Sequence, residues 1–267
     1  MRFFAFIAVL AVGLLLVSAV QEFPKFGDVN SPANAYELSQ EFITKTETDT
    51  MVPNIVTAVL ADYRGYDTMF ETVVVFTGGL AIFAILRTTR REDRSEPAEA
   101  SRDRVEPSAT DSGRIIVATT VRLMVPVIQL FSLYVLAHGH HSPGGGFQGG
   151  VILGASFILL ALVSDLPTTL KRFSESRFLA FGALGILIYA GIGLICMFLG
   201  KNFLDYAVLD KVIPDWMESV FGVTSGAEWA RSHAMLAVEV GVAITVASIM
   251  FAIYALLSSN GRLRDGL

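Results

Sequence analysis

The stretch Phe178-Leu-Ala-Phe-Gly-Ala-Leu-Gly-Ile-Leu-Ile-Tyr-Ala-Gly-Ile-Gly-Leu-Ile-Cys-Met-Phe-Leu-Gly200 runs for 23 residues without a charge. A helix needs about 20 apolar residues to cross a bilayer core, so this stretch reads as a membrane span. Four more runs read the same way: Phe3 to Val20, Ile115 to Ala137, the Gly-rich run from Gly146 to Ser164, and Ala234 to Leu257. A sixth, Val73 to Leu86, has 14 residues. It reaches crossing length when the helix begins near Thr68 and carries Glu71 in its first turns. The expected fold is an all-α integral membrane protein with about six transmembrane helices. Composition agrees: 53% of residues are hydrophobic and 17% charged, where a soluble domain carries about 25% charged residues.

The basic residues orient the spans. With six spans and both termini cytoplasmic, 13 Lys and Arg fall in cytoplasmic segments and 5 in outer ones, with Arg64 and Arg122 in or near spans. That is the sign of the positive-inside rule. Omitting the weak second span would place Arg87, Arg90, Arg91 and Arg94 outside. The first span reads as a retained anchor, because its 18-residue run exceeds the apolar region of a signal peptide. Net charge is −5 with no basic stripe, so nucleic acid is not an expected partner. The single cysteine, Cys196, excludes a disulfide framework and any Cys-based metal cluster.

Residues 87–113 contain 13 charges and no aromatic residue. Such a segment buries too little apolar surface to offset its ordering entropy and reads as a disordered cytoplasmic linker. It divides the chain into a two-span unit, 1–86, and a four-span unit, 114–267. Ala35 to Ile43 and the stretch around Asp215, Trp216 and Glu218 read as short helices at the membrane surface.

Four constellations are candidates for chemistry. In Val56-Thr-Ala-Val-Leu-Ala-Asp-Tyr-Arg-Gly-Tyr-Asp-Thr-Met-Phe-Glu71, a helix starting near Arg64 places Arg64, Asp67 and Glu71 on one face. They form either a protein-facing charged cluster or a headgroup collar with Tyr63 and Tyr66 as its aromatic belt. Arg122 lies seven residues into its span. It either snorkels to the surface or joins Thr119, Gln129 and Ser132 in a protein-facing stripe; Pro126 is placed to kink this helix.

The third constellation is Ala137-His138-Gly-His140-His141-Ser-Pro-Gly-Gly-Gly-Phe-Gln-Gly-Gly150. Gly144, Gly146 and Gly149 match a dinucleotide fingerprint in spacing, but a helix rather than a strand precedes them. A phosphate loop would need Gly-Lys-Ser/Thr. A histidine metal site lacks a nearby carboxylate or cysteine, so neither metal nor cofactor is expected. Gly146, Gly150 and Gly154 stand at i, i+4 and i+8, the spacing of a smooth face for close helix contact. The fourth is Glu239, six residues into the last span. A carboxylate there loses hydration, which favours its neutral form. It suits either a proton path relayed by the outer histidines or a helix–helix hydrogen bond.

His138-Gly-His-His-Ser-Pro-Gly-Gly-Gly-Phe-Gln-Gly-Gly150, after a span with Arg122 and Pro126, resembles the signature of the B subunit of Mrp-type multisubunit Na+/H+ antiporters over about 111–260. Val56 to Thr68, followed by Glu71, resembles the C-terminal end of the large A subunit, which in membrane-bound hydrogenases is a small separate subunit. The chain thus resembles a fusion of the two. The resemblance implies a subunit of a cell-membrane complex in a prokaryote, partnered by other antiporter or hydrogenase-arm subunits and by lipid, that exchanges Na+ for H+. Pumping subunits of that family use a mid-membrane lysine, and no span here holds one. The expected role is therefore non-catalytic: assembly and lining of the ion path. The alternative is the membrane arm of an energy-converting hydrogenase or related redox complex.

Overall fold

The computed structural model describes residues 2–21, 23, 25–28, 31, 36–92, 111–164, 175–212 and 226–258. Among them every regular element is helical. The chain divides into two compact units, Met1–Lys45 and Thr46–Leu267. The first holds α1 (Arg2–Val20) and the start of α2 (Tyr36–Thr50).

In the second unit, α3 (Ile55–Ala58) passes into a π-helical turn, Val59–Tyr63, and breaks at Arg64. The remaining helices are α4 (Gly65–Glu92), α5 (Asp111–Ala137), α6 (Gly146–Ser164), α7 (Glu175–Phe198) and α8 (Ala227–Ser258). Five spans within α4 to α8 are long and apolar enough to cross a membrane, and Val9–Val20 of α1 is a shorter apolar helix. The protein is a multi-pass all-α membrane protein.

Several boundaries differ from the sequence expectation, among them three that move charged residues onto helices. Helix α4 continues to Glu92 and α5 starts at Asp111, so both ends of the expected 87–113 linker are helical. Charged residues continue a helix readily once it has left the bilayer, because their side chains are solvated there. Residues 93–110 and the expected helix around Trp216 lie outside the described residues. Helix α8 begins at Ala227 rather than Ala234, which moves Arg231 from an outer loop onto a helix. Its charge is met there by Asp62, so it does not end the helix.

Helix α8 is the hub. Of its span, 61% is buried, against 11% of α5. Small residues allow this. A Cβ on Gly150 would lie 2.9 Å from the Ala243 carbonyl oxygen, and one on Gly154 3.2 Å from Ala247 Cα. A Cβ on Gly146 would collide with the Glu239 carbonyl oxygen, and one on Gly185 with that of Gly241. The glycine face of α6 thus lies backbone to backbone on α8. On the other side Thr245 Oγ1 donates to the Gly182 carbonyl of α7 at 2.9 Å. Below these contacts Phe251, Phe178 and Phe83 join α8, α7 and α4 in an apolar cluster.

Candidate functional site

The break between α3 and α4 leaves backbone groups without α-helical partners, and several of them are met by other groups. Asn54 caps α3, its Oδ1 accepting from Val56 N–H at 3.1 Å. Arg64 N–H bonds five residues back, to the Val59 carbonyl. The Leu60 carbonyl accepts from Thr68 Oγ1 at 2.7 Å. Two buried tyrosines reach in from other elements. Tyr206, on a 3-10 turn (Tyr206–Val212) after α7, donates to the Ala61 carbonyl at 2.9 Å, and Tyr189 of α7 donates to the Gly65 carbonyl at 2.8 Å. Burial pushes the Tyr206 phenol far above its usual range, so it stays a donor. Gly65 suits this close approach, since a Cβ there would lie 3.2 Å from Leu204 Cδ1.

Beside the break, Arg231 of α8 grips Asp62 through two donors: Nη2 reaches Oδ1 at 2.8 Å and Nε bonds Oδ2. The side chains are 24% and 9% exposed. Arg231 Nη1 also donates to the Asp49 carbonyl at 3.1 Å, and the guanidinium lies 5.8 Å from the Tyr63 ring centroid. Tyr63 Oη donates to Asp49 Oδ2 at 3.3 Å. Burial, then the Asp49 carboxylate, raise the Tyr63 phenol above its ordinary value.

Arg64, Asp67 and Glu71 lie on the opposite side of the break. Arg64 Nε donates to Asp67 Oδ2 at 2.7 Å, with both side chains more than half exposed. Glu71 is exposed and makes no hydrogen bond or ion pair with the described residues. These three line an open groove of about 600 Å³ with Phe70, Val74, Val75 and, from the glycine-rich motif, Phe147. The two motifs singled out in the sequence therefore meet at one groove.

The histidines divide. His138 stacks on Tyr134 at 4.9 Å between ring centroids. His141 is exposed. His140 is buried, with Nδ1 3.4 Å from Ser232 Oγ and Nε2 unpartnered among the described residues. The loop's firmest bonds are through its backbone: the Gly139 carbonyl accepts from Asn54 Nδ2 at 2.7 Å and Thr57 Oγ1 at 2.8 Å, and the His140 carbonyl from Asn54 N–H at 2.9 Å. No group of three metal-ligating side chains occurs among the described residues.

Glu239 of α8 is 9% exposed and stands against the start of α6. A Cβ on Gly145 would lie 2.7 Å from its Oε1, and Gly145 takes a φ of +114° that suits glycine. Its Oε2 has no partner among the described residues. The expected stripe on α5 does not form within the chain: Ser132 is buried and donates to the Gly149 carbonyl at 2.8 Å, whereas Thr119 and Arg122 are exposed. The 3.6-residue turn carries Ser132 onto the α6 side and Arg122 away from it.

Residues 116–252 match the family described as the domain related to the MnhB subunit of Na+/H+ antiporter. The chain belongs to that family. Residues 7–103 match a second family, MbhE, described as the E subunit of MBH. A protein of Rhizobium meliloti (strain 1021), named as the probable A/B subunit of a K+/H+ antiporter, is 30% identical over 178 residues, covering 60% of this chain and 17% of that protein. A Staphylococcus aureus (strain Newman) protein named antiporter subunit mnhB2 is 33% identical over 101 residues, covering 38% of this chain and 70% of its own. The Mrp complex from Dietzia sp. DQ12-45-1b has a chain with a TM-score of 0.57 and 26% identity, over 98% of this chain and 26% of that one. A chain of the archaeal membrane-bound sulfane sulfur reductase shares the fold, with a TM-score of 0.54 over 92% of this chain and 95% of that one, at 24% identity.

The sequence reading missed Asp62, Arg231, Tyr189, Tyr206, Asn54 and Thr57. One signal was available: Asp62 and Arg231 are opposite charges, each just outside an apolar run.

Proposed function

We propose that this chain is a non-catalytic membrane subunit of a multisubunit cation/proton antiporter in a prokaryotic cell membrane, and that its groove walls part of the cation path. The observation that carries this is the meeting of Arg64, Asp67 and Glu71 with Phe147 at one open groove. Carboxylates at the membrane end of a helix are costly unless they face protein, a cavity or an ion. Asp67 is offset by Arg64; Glu71 brings an unbalanced charge that suits a cation or a basic group of a neighbouring subunit. Membership of the MnhB family and the likeness to a chain of the Mrp complex support the antiporter setting. The cation is Na+ in the family description and K+ in the name of the Rhizobium relative, so exchange is to be measured with both. Glu239, a buried acid with one free oxygen among the described residues, is a candidate proton-path group.

Affinity purification in mild detergent tests the setting: antiporter subunits are expected to co-purify. Co-purifying iron–sulfur subunits would instead favour a redox-driven membrane arm, which the MbhE match to 7–103 makes the second reading. Both termini are assigned to the cytoplasm. With Cys196 replaced, a cysteine at His141 is expected to react with an impermeant reagent in intact cells, and one at Ala100 only after permeabilisation. Reaction at Ala100 in intact cells would reverse the topology.

A further inference from the structure

The break between α3 and α4 lies in the region matching MbhE, and its strongest tethers come from the region matching MnhB. Asp62, Ala61 and Gly65 belong to the first; Arg231, Tyr206 and Tyr189, which bind them, belong to the second. The bonded partners are 169, 145 and 124 residues apart in sequence. Asn54 and Thr57 add a parallel set of bonds to the carbonyls of the histidine loop.

We propose that the Asp62–Arg231 pair is the central latch of a self-sufficient docking interface between the two family regions, so that their association does not depend on the linker that joins them. Three features support this. The geometry is bidentate, which fixes orientation as well as charge. All three guanidinium nitrogens are engaged, two on Asp62 and one on the Asp49 carbonyl, and the group lies over the Tyr63 ring. The pair is largely buried, where an arginine stripped of its carboxylate is left uncompensated. The surface pair Arg64–Asp67 differs: its Nε and Nη2 both meet the single oxygen Oδ2, and both side chains are more than half exposed. The flanking tyrosines make the interface specific, because they meet only carbonyls that a π-helical turn followed by a break turns outward.

The test keeps the chain whole until it has folded. A protease site is inserted between residues 95 and 105 of the full chain, which is purified in mild detergent, cleaved, and passed over an affinity column through a tag on its C-terminal part. The two fragments of the otherwise wild-type protein are expected to elute together. Arg231→Asp is expected to lower N-terminal fragment recovery by about tenfold or more, the factor equivalent to about 1.4 kcal/mol. The exchanged pair Asp62→Arg with Arg231→Asp is expected to recover most of it. Arg231→Lys, which keeps the charge but not the two-point grip, should fall between. If Arg231→Asp alone does not accumulate, recovery of a folded, co-eluting protein in the exchanged pair still supports the latch. Separation of the wild-type fragments, co-elution of the Arg231→Asp fragments at wild-type yield, or an exchanged pair no better than either single variant would each overturn it.

Discussion

Asp62 and Asp67 stand in one motif, each bonded to an arginine, and their surroundings are opposite. Asp62 is buried and held by Arg231 of a distant helix, beside Tyr63. Asp67 is exposed and held by Arg64 of its own turn, at the edge of an open groove that also contains Glu71. The break at Arg64 makes the difference: Asp62, just before it, faces α8, whereas Asp67 and Glu71, just after it, line the open groove. Asp62 is committed to holding the protein together, and Asp67 and Glu71 are left exposed at the groove.

The largest expected effect lies in the α6–α8 packing that the buried side of the molecule is built on. Gly150→Leu drives a side chain into the Ala243 backbone, only 2.9 Å from where a Cβ would stand. Overpacking that side chains can absorb costs about 1–3 kcal/mol; here the obstacle is the backbone of α8, which cannot step aside, so the α6–α8 packing as a whole is lost. The chain is expected to vanish from the membrane fraction on an immunoblot, and wild-type levels would remove backbone contact as the basis of the α6–α8 packing. Next, Arg231→Gln should cost about 3–5 kcal/mol, the range for removing one partner of a buried pair. Arg64→Gln should cost about 0–1 kcal/mol, as for an exposed one. Thermal unfolding of the two variants side by side measures this, and equal losses would erase the contrast.

Smaller effects sharpen it. Glu239→Gln should leave the amount of complex unchanged but flatten the pH profile of exchange if this carboxyl carries protons. A profile matching wild type at every pH would leave Glu239 a packing group. The smallest effect concerns Tyr63. A phenol whose folded value is raised contributes stability that is present below the ordinary value of 10.0 and is lost as pH rises through the raised one. Thermal stability of the wild type should therefore fall at alkaline pH slightly more than that of Tyr63→Phe. Parallel curves would show that Tyr63 does not share the latch's electrostatics.

The spans were legible because an uncharged run such as 178–200 admits few readings, and the α6 glycines stood out because i+4 spacing is local. The groove was half legible: Arg64, Asp67 and Glu71 share a face by helical arithmetic, but nothing local brings Phe147 to them. The latch was not legible. Its partners lie 169 residues apart, and the charge of Arg231 made the last helix look shorter than it is. Hydropathy marks where charge begins, not where a helix begins, and a paired arginine separates the two. The expected stripe through Arg122 and Ser132 divides within the chain for a related reason. Polar residues along a helix read as one broad face until a neighbour claims some of them, as α6 claims Ser132 through the Gly149 carbonyl.

The central claim is that the exposed side of the break serves ion exchange while the buried side holds the fold. The direct measurement is cation-dependent proton exchange in inverted vesicles carrying Glu71→Gln, with Na+ and K+ in turn and the amount of complex quantified in the same vesicles. The account predicts wild-type amounts of complex and exchange lowered by about tenfold or more, equivalent to about 1.4 kcal/mol of lost stabilisation on the path. Wild-type exchange at equal amounts of complex would contradict it and make the groove a passive collar at the membrane surface.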